Sequence, residues 1–189
     1  YGNFQVGVMP SYQIVEGDFT VNLGVSAFYL NDIEGGKNKF FIYPKVTAFY
    51  KIVGEVLIAN AGIEGDLIQN SYYQFAKQNP FVSPTLFIRP TDQQYKAYLG
   101  LKGKLSNAMS YTIRGNYYAD RDKALFKINP ILIVDEEQYQ NGNSYRIVYD
   151  DLTTLSVFGE LNVDVNRNFN LGIKAEYFTY STDEEEEAW

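Results

Sequence analysis

The sequence contains no cysteine and no histidine. The first absence removes disulfides and thiolate metal sites, and the second removes the commonest acid-base group and metal ligand of neutral pH. Catalysis would rest on carboxylates, lysine, tyrosine or serine. No Ser/Asp pair or carboxylate couple stands out, so the chain reads as a non-enzyme that calls for no cofactor and no metal. Although 46% of the residues are hydrophobic, no window holds the about eighteen consecutive apolar residues of a membrane-crossing helix. A long basic run is also missing. With a formal net charge of -7, nucleic acid is excluded as an expected partner, because phosphate binding needs a positive face. No basic segment with an apolar core opens the chain: Tyr1-Gly2-Asn3-Phe4-Gln5-Val6 already alternates. The sequence closes on Asp183-Glu184-Glu185-Glu186-Glu187-Ala188-Trp189, and the expectation is a segment of a longer protein, cut at both ends.

What is abundant is tyrosine, 17 residues beside 13 phenylalanines and one tryptophan. Tyrosine has an apolar body and a polar tip, which suits a membrane interface. The apolar residues recur with a period of two, the signature of strands with one apolar face. From Tyr95 to Ala119, Tyr95, Ala97, Leu99, Leu101 and Leu105, then Met109, Tyr111, Ile113, Tyr117 and Ala119, share one face. A three-residue loop, Ser106 to Ala108, sets Leu101 opposite Ile113 and Leu105 opposite Met109. The same parity test is met by three more hairpins, with turns centred on Glu16-Gly17, Gly54-Glu55 and Asn166 to Asn168. In the first of these, Ile14 is expected opposite Phe19 and Val8 opposite Val25. Pro10 and Pro44 lie inside apolar runs and mark a bulge or a strand end.

Connections alternate between these tight turns and longer segments at Asn31 to Lys39, 66–93 and 120–146. Alternation lasts about ten residues in nearly every strand, the length a tilted membrane strand requires, against about five or six in globular proteins. Short turns at one end and long loops at the other are the habit of outer-membrane barrels, whose long loops are extracellular. The fold expected is all-β, a transmembrane antiparallel up-and-down β-barrel of about eight strands over 1–189, part of a larger barrel. Segments 66–93 and 120–146 are then two extracellular loops. A soluble lipocalin-like carrier of an apolar ligand is the alternative, with the apolar face turned inward.

Candidate functional positions follow from this frame. Lys96, Lys102, Lys104, Arg114, Glu160, Asp164, Lys174 and Glu176 lie on the polar face and would line the lumen. The cations outnumber the acids there, which would favour anions. In the first long loop Ser71 to Gln78 suits a short helix ended by Pro80. Tyr72, Tyr73, Phe75, Phe81 and Phe87 either line a mouth that binds ligand or partner, or pack the loop on the barrel rim. The stretch after Asp120 reads as loop or as strand extensions above the membrane. The run Asp183 to Glu187 reads as a solvated loop rather than a calcium site.

The run Asn79-Pro80-Phe81-Val82-Ser83-Pro84-Thr85-Leu86, then Pro90-Thr91-Asp92-Gln93-Gln94-Tyr95, the hairpin Gly100 to Arg114 and the acidic run before Ala188-Trp189 together resemble TonB-dependent receptor-like outer-membrane proteins of Bacteroidota. The resemblance implies a porin-like or receptor barrel in a Gram-negative outer membrane, surrounded by lipid and carrying a solute or nutrient by receptor-mediated or passive passage. Neither a plug nor a TonB-contacting segment is visible in the sequence. A structural or partner-scaffolding barrel in an envelope complex, with envelope protein partners, is the second functional reading.

Overall fold

The computed structural model describes residues 3–32, 37–130 and 142–182; the acidic run Asp183 to Glu187 lies outside them. Nine strands and one helix follow in order: β1 Asn3–Val8, β2 Ser11–Glu16, β3 Phe19–Asp32, β4 Lys37–Val53, β5 Leu57–Ile68, α1 Tyr72–Gln78, β6 Thr91–Ser106, β7 Met109–Ile128, β8 Tyr145–Asn166 and β9 Phe169–Thr182. From β3 on, every strand pairs antiparallel with the next, and β1 and β2 both pair antiparallel with β3, giving the order β1-β3-β4-β5-β6-β7-β8-β9 with β2 also on β3. This is an all-β, up-and-down sheet. Among the described residues β9 does not pair with β1 or β2, so the sheet is an open arc.

Nine strands rather than eight arise because Met9 and Pro10 divide the first. Val8 faces Ala27 and Ser11 faces Gly24, so β2 resumes the register that β1 leaves. Proline has no N–H to offer the ladder, yet the Pro10 carbonyl still accepts from the Val25 N–H at 3.2 Å. Pro44 behaves differently from expectation. It lies well inside β4, paired with Val25, but the β4–β5 ladder begins only at Lys45. Its missing donor therefore falls where β4 has one partner rather than two.

Parity holds throughout, while the tip of each hairpin differs from the expected register, with bulges also at Lys51/Val53 and Asp164/Asn166. Glu16 pairs with Phe19, which moves the first turn to Gly17-Asp18 and sets Ile14 opposite Val21 and Val8 opposite Ala27. Gly17 has φ +56°, the left-handed region that a glycine at the first loop position of a tight hairpin supplies without strain. In β6–β7, Leu101 faces Ile113 as expected, but a bulge lets Ser106 rather than Leu105 face Met109. A two-residue shift or a bulge at the tip changes partners without moving the apolar set to the other face.

The long connections are shorter than the sequence suggests. β3 and β4 remain paired up to Asp32 and Lys37. The first long loop is 69–90, between Ile68 and Thr91. Within segment 120–146, β7 runs on to Ile128 and β8 starts at Tyr145, the strand-extension alternative at its two ends; residues 131–141 lie outside the described ones.

The two faces have opposite chemistry. On one, Leu99, Leu101, Leu105, Ile113, Val157 and Ile173 are exposed. On the other, Ser26, Asn60, Asn116, Asp120, Thr154 and Ser156 are buried. The polar side is concave, since side chains meet there across strands that are not neighbours. Gln5 of β1 reaches the Leu67 carbonyl of β5 at 3.2 Å, and Tyr43 of β4 donates to Asp92 of β6 at 2.7 Å. A lipocalin-like carrier would have the reverse arrangement.

Candidate functional site: the concave face and the loop rim

Three of the five cations expected in the lumen have a carboxylate partner. Lys96 of β6 meets Glu64 of β5 at 3.1 Å, Lys104 meets Glu55 in the β4–β5 turn at 2.9 Å, and Lys174 of β9 meets Glu160 of β8 at 3.4 Å. Asn162 also donates to Glu160, and Ser156 donates to Glu176 at 2.9 Å. Asp164 sits beside the β6–β7 turn, its backbone N–H donating to the Ala108 carbonyl at 2.7 Å. The expected surplus of cations is thereby corrected: Glu64 and Glu55, both outside the candidate set, supply the missing acids. In the turn, the hydrogen bond and charge of Lys104 hold the Glu55 carboxyl below the usual glutamate range.

Lys102 and Arg114 are the exceptions. Lys102 Nζ stands 5.0 Å from the Phe49 ring centre, and the Arg114 guanidinium lies 5.6 Å from both Tyr98 and Phe158. Ring faces attract cations but do not neutralise them. Arg114 Nε is buried without a hydrogen-bond partner. Leu101, Gly103, Ile113 and Gly115 flank these cations in sequence, so the alternation alone brings both to the concave face.

Nearer the loop end, the concave face becomes apolar. Phe28, Leu30, Tyr43 and Leu67 form a buried cluster, with Phe41 packed on it. The sequence analysis did not identify this cluster. Its signal was present in Phe28 and Leu30, which occupy polar-face positions of an otherwise regular strand. Beneath it lies a cavity of about 280 Å³, walled chiefly by Ser26, Lys45, Glu64, Asp66, Gln93 and Lys96.

The loop 69–90 is folded rather than extended. Ser71 caps α1 by accepting from the Gln74 N–H, and extended Asn79 ends it, as Pro80 demands of the residue before it. Phe75 is 4% exposed and packs with Val82 and Leu86 against Ala124, Phe126 and Ile147 of the long β7–β8 ribbon. Phe75 is thus part of the loop's own core, which corrects its assignment to a binding mouth. Tyr72, Tyr73, Phe81 and Phe87 remain exposed.

Arg89 fastens the loop's far end. Its guanidinium lies 5.4 Å from the Phe87 ring centre and 4.7 Å from that of Tyr149, and it bonds Asp122 at 3.0 Å. Burial raises the Tyr149 phenol above its usual range, against the opposing bond and charge of Arg89. Asp122 has φ +50° at the register shift of β7 between Asp120 and Lys123. Past the end of β7, Asn129 donates to Ser83 and Ser144 at 2.9 and 2.8 Å.

No protein-family model matches the sequence, and no curated protein does. Among solved structures, the chain is similar to the pyoverdine outer membrane receptor FpvA from Pseudomonas aeruginosa PAO1, solved bound to pyoverdine. The TM-score is 0.60 and the identity 11%, over 96% of this chain and 25% of the receptor. The chain therefore spans about a quarter of that receptor's length. At this identity the likeness is one of fold, and the fold is that of the antiparallel β-barrel wall of an outer membrane receptor.

Proposed function

We propose that the chain forms part of the wall of a bacterial outer-membrane barrel that passes a solute, receptor-mediated or passively, with the loop 69–90 at the extracellular mouth. The observation that carries this reading is the banding of the convex face. Phe19 and Tyr50 pair at one level, with ring centres 6.4 Å apart, and Tyr29 and Phe40 pair at another, also 6.4 Å apart. Between them stand Val21, Leu23, Val25 and Ala27 with Ala48, Val46, Pro44 and Ile42. From Phe19 to Tyr29 the strand rises roughly 34 Å, and at a tilt of about 40° this gives a band of about 26 Å. Outer-membrane barrels carry an apolar band of about 25 Å between aromatic girdles. Tyr95 of β6 and Tyr117 of β7 are also exposed on the convex face.

The receptor fold supports the reading at the level of architecture. The Bacteroidota attribution rests on the sequence resemblance, and TonB coupling is not part of the proposal. The proposal includes no catalytic role. Single cysteines at Leu99 and Lys102 test the wall: a spin label at Leu99 should be relaxed by oxygen dissolved in the bilayer, and one at Lys102 by a water-soluble nickel chelate. The opposite pattern would sink the proposal. A cysteine at Tyr73 should react with an impermeant maleimide added to whole cells. Labelling only from the periplasmic side would mean inverted topology.

A further inference from the structure

The cavity on the concave face is not filled by the groups around it. Its volume of about 280 Å³ is just under the roughly 300 Å³ at which small-molecule sites begin, so it suits a solute no larger than an amino acid or dipeptide. Glu64 and Lys96 on its wall neutralise each other at 3.1 Å. Lys45 and Asp66 have no ion-pair partner among the described residues, although both line the cavity. Lys45 is in register with Glu64, which makes Asp66, two residues on, its diagonal neighbour across the strands, with roughly 7 Å between Cβ atoms. One wall thus presents an ammonium and a carboxylate that make no ion pair with each other, the carboxylate also accepting from the Leu67 N–H at 2.9 Å.

Two further features shape this wall. Ser26, 3% exposed as a residue, lies on it and adds a hydroxyl to the polar lining. The second feature is a bulge in β6. Asp66 faces Gln93 and Glu64 faces Lys96 on one side, while Gln93 faces Asp120 and Tyr95 faces Ala119 on the other, so Gln94 is an inserted residue. The insertion brings Gln93 and Lys96, three apart in sequence, to the same cavity wall, which a regular strand would place on opposite faces. The close approach needs glycine opposite it: a Cβ on Gly65 would lie 2.7 Å from the Gln94 carbonyl oxygen.

We propose that this cavity binds a small zwitterion bearing one carboxylate and one amine, as free amino acids and dipeptides do. The ligand carboxylate sits against Lys45, its ammonium against Asp66, and the Ser26 hydroxyl completes the polar contacts. The proposal depends on the barrel-wall reading only for the side from which the solute enters.

Titration calorimetry of the full-length protein in detergent, with glycylglycine as the probe, tests it. Saturable binding is expected, with N-acetylglycinamide, which lacks both charges, at least about tenfold weaker. Lys45→Gln and Asp66→Asn should each weaken glycylglycine about tenfold or more, Ser26→Ala by a smaller factor, and Lys174→Gln on β9 should change nothing. Absence of glycylglycine binding, equal binding of the neutral analogue, or unaltered affinity in both charge variants would overturn the site. Since Lys45 and Asp66 are both exposed, these conservative changes leave the sheet folded. The spin label at Leu99 separates the two readings: a failed titration with oxygen relaxation intact removes the site and leaves the wall, and the reverse outcome removes the wall and leaves the site.

Discussion

Arg114 illustrates how a single residue can set the character of a pore. Its neighbours on the concave face are rings and not carboxylates, so its charge acts undiminished on any ion that passes. Arg114→Gln and Lys102→Gln should each shift the reversal potential in a planar bilayer towards cations, whereas Lys96→Gln, whose charge Glu64 already balances, should shift it less. Equal shifts at all three positions would mean that the pairing does not matter. On the opposite face, Leu101→Arg should cost about 2–4 kcal/mol in a bilayer refolding titration if that residue meets lipid near the midplane. The aromatics of the loop divide in the same residue-by-residue way. Phe75→Ala removes a buried ring and should cost the loop about 3–5 kcal/mol, read as faster proteolysis between Ile68 and Thr91. Tyr73, 75% exposed, should be replaceable by alanine with no such change, and any effect should fall on solute capture.

Among the elements, the strands inside the apolar band were legible because one side is apolar and the other polar, and the structure keeps that parity in every hairpin. The ribbon from Lys123 to Asp150 was ambiguous for a physical reason. Ala124, Phe126 and Ile147 are covered by the loop core, while Leu125 and its partner Val148 supply apolar residues of the other parity. A strand with apolar residues on both faces loses its alternation. The helix was legible because it is a local structure, with Ser71 at one end and Pro80 at the other. The cavity was not, because its residues come from β3, β4, β5 and β6 and are aligned by a bulge that no single segment announces. The loop's attachment to the ribbon has a pH limit. The raised Tyr149 means that the folded loop prefers the neutral phenol, so the attachment is fully present below the ordinary tyrosine range and weakens as pH rises through the higher folded value. Protection of the amides in 81–89, taken relative to their intrinsic base-catalysed exchange, should fall above about pH 10, the usual tyrosine range, and Tyr149→Phe should remove that fall. Protection that falls with the same pH profile in both proteins would count against Tyr149 as the cause.

At the scale of the whole molecule, the sheet has two free edges among the described residues, β1 with β2 on one side and β9 on the other. Unpaired edges recruit other strands. The 189-residue chain refolded alone is therefore expected to associate, and a monodisperse, protease-resistant monomer in sizing chromatography would refute this. The two edges are unequal. β9 offers fourteen consecutive residues from Phe169 to Thr182, whereas the opposite edge is two six-residue runs with Met9 and Pro10 between them. Zippering along β9 can proceed without a pause, but along the other edge it must stop at the proline and nucleate again, repeating the entropic cost of a first contact. Assembly of neighbouring strands thus acquires a direction in time, β9 first and the broken edge last, and the proline acts as a delay that leaves the final seam open longest.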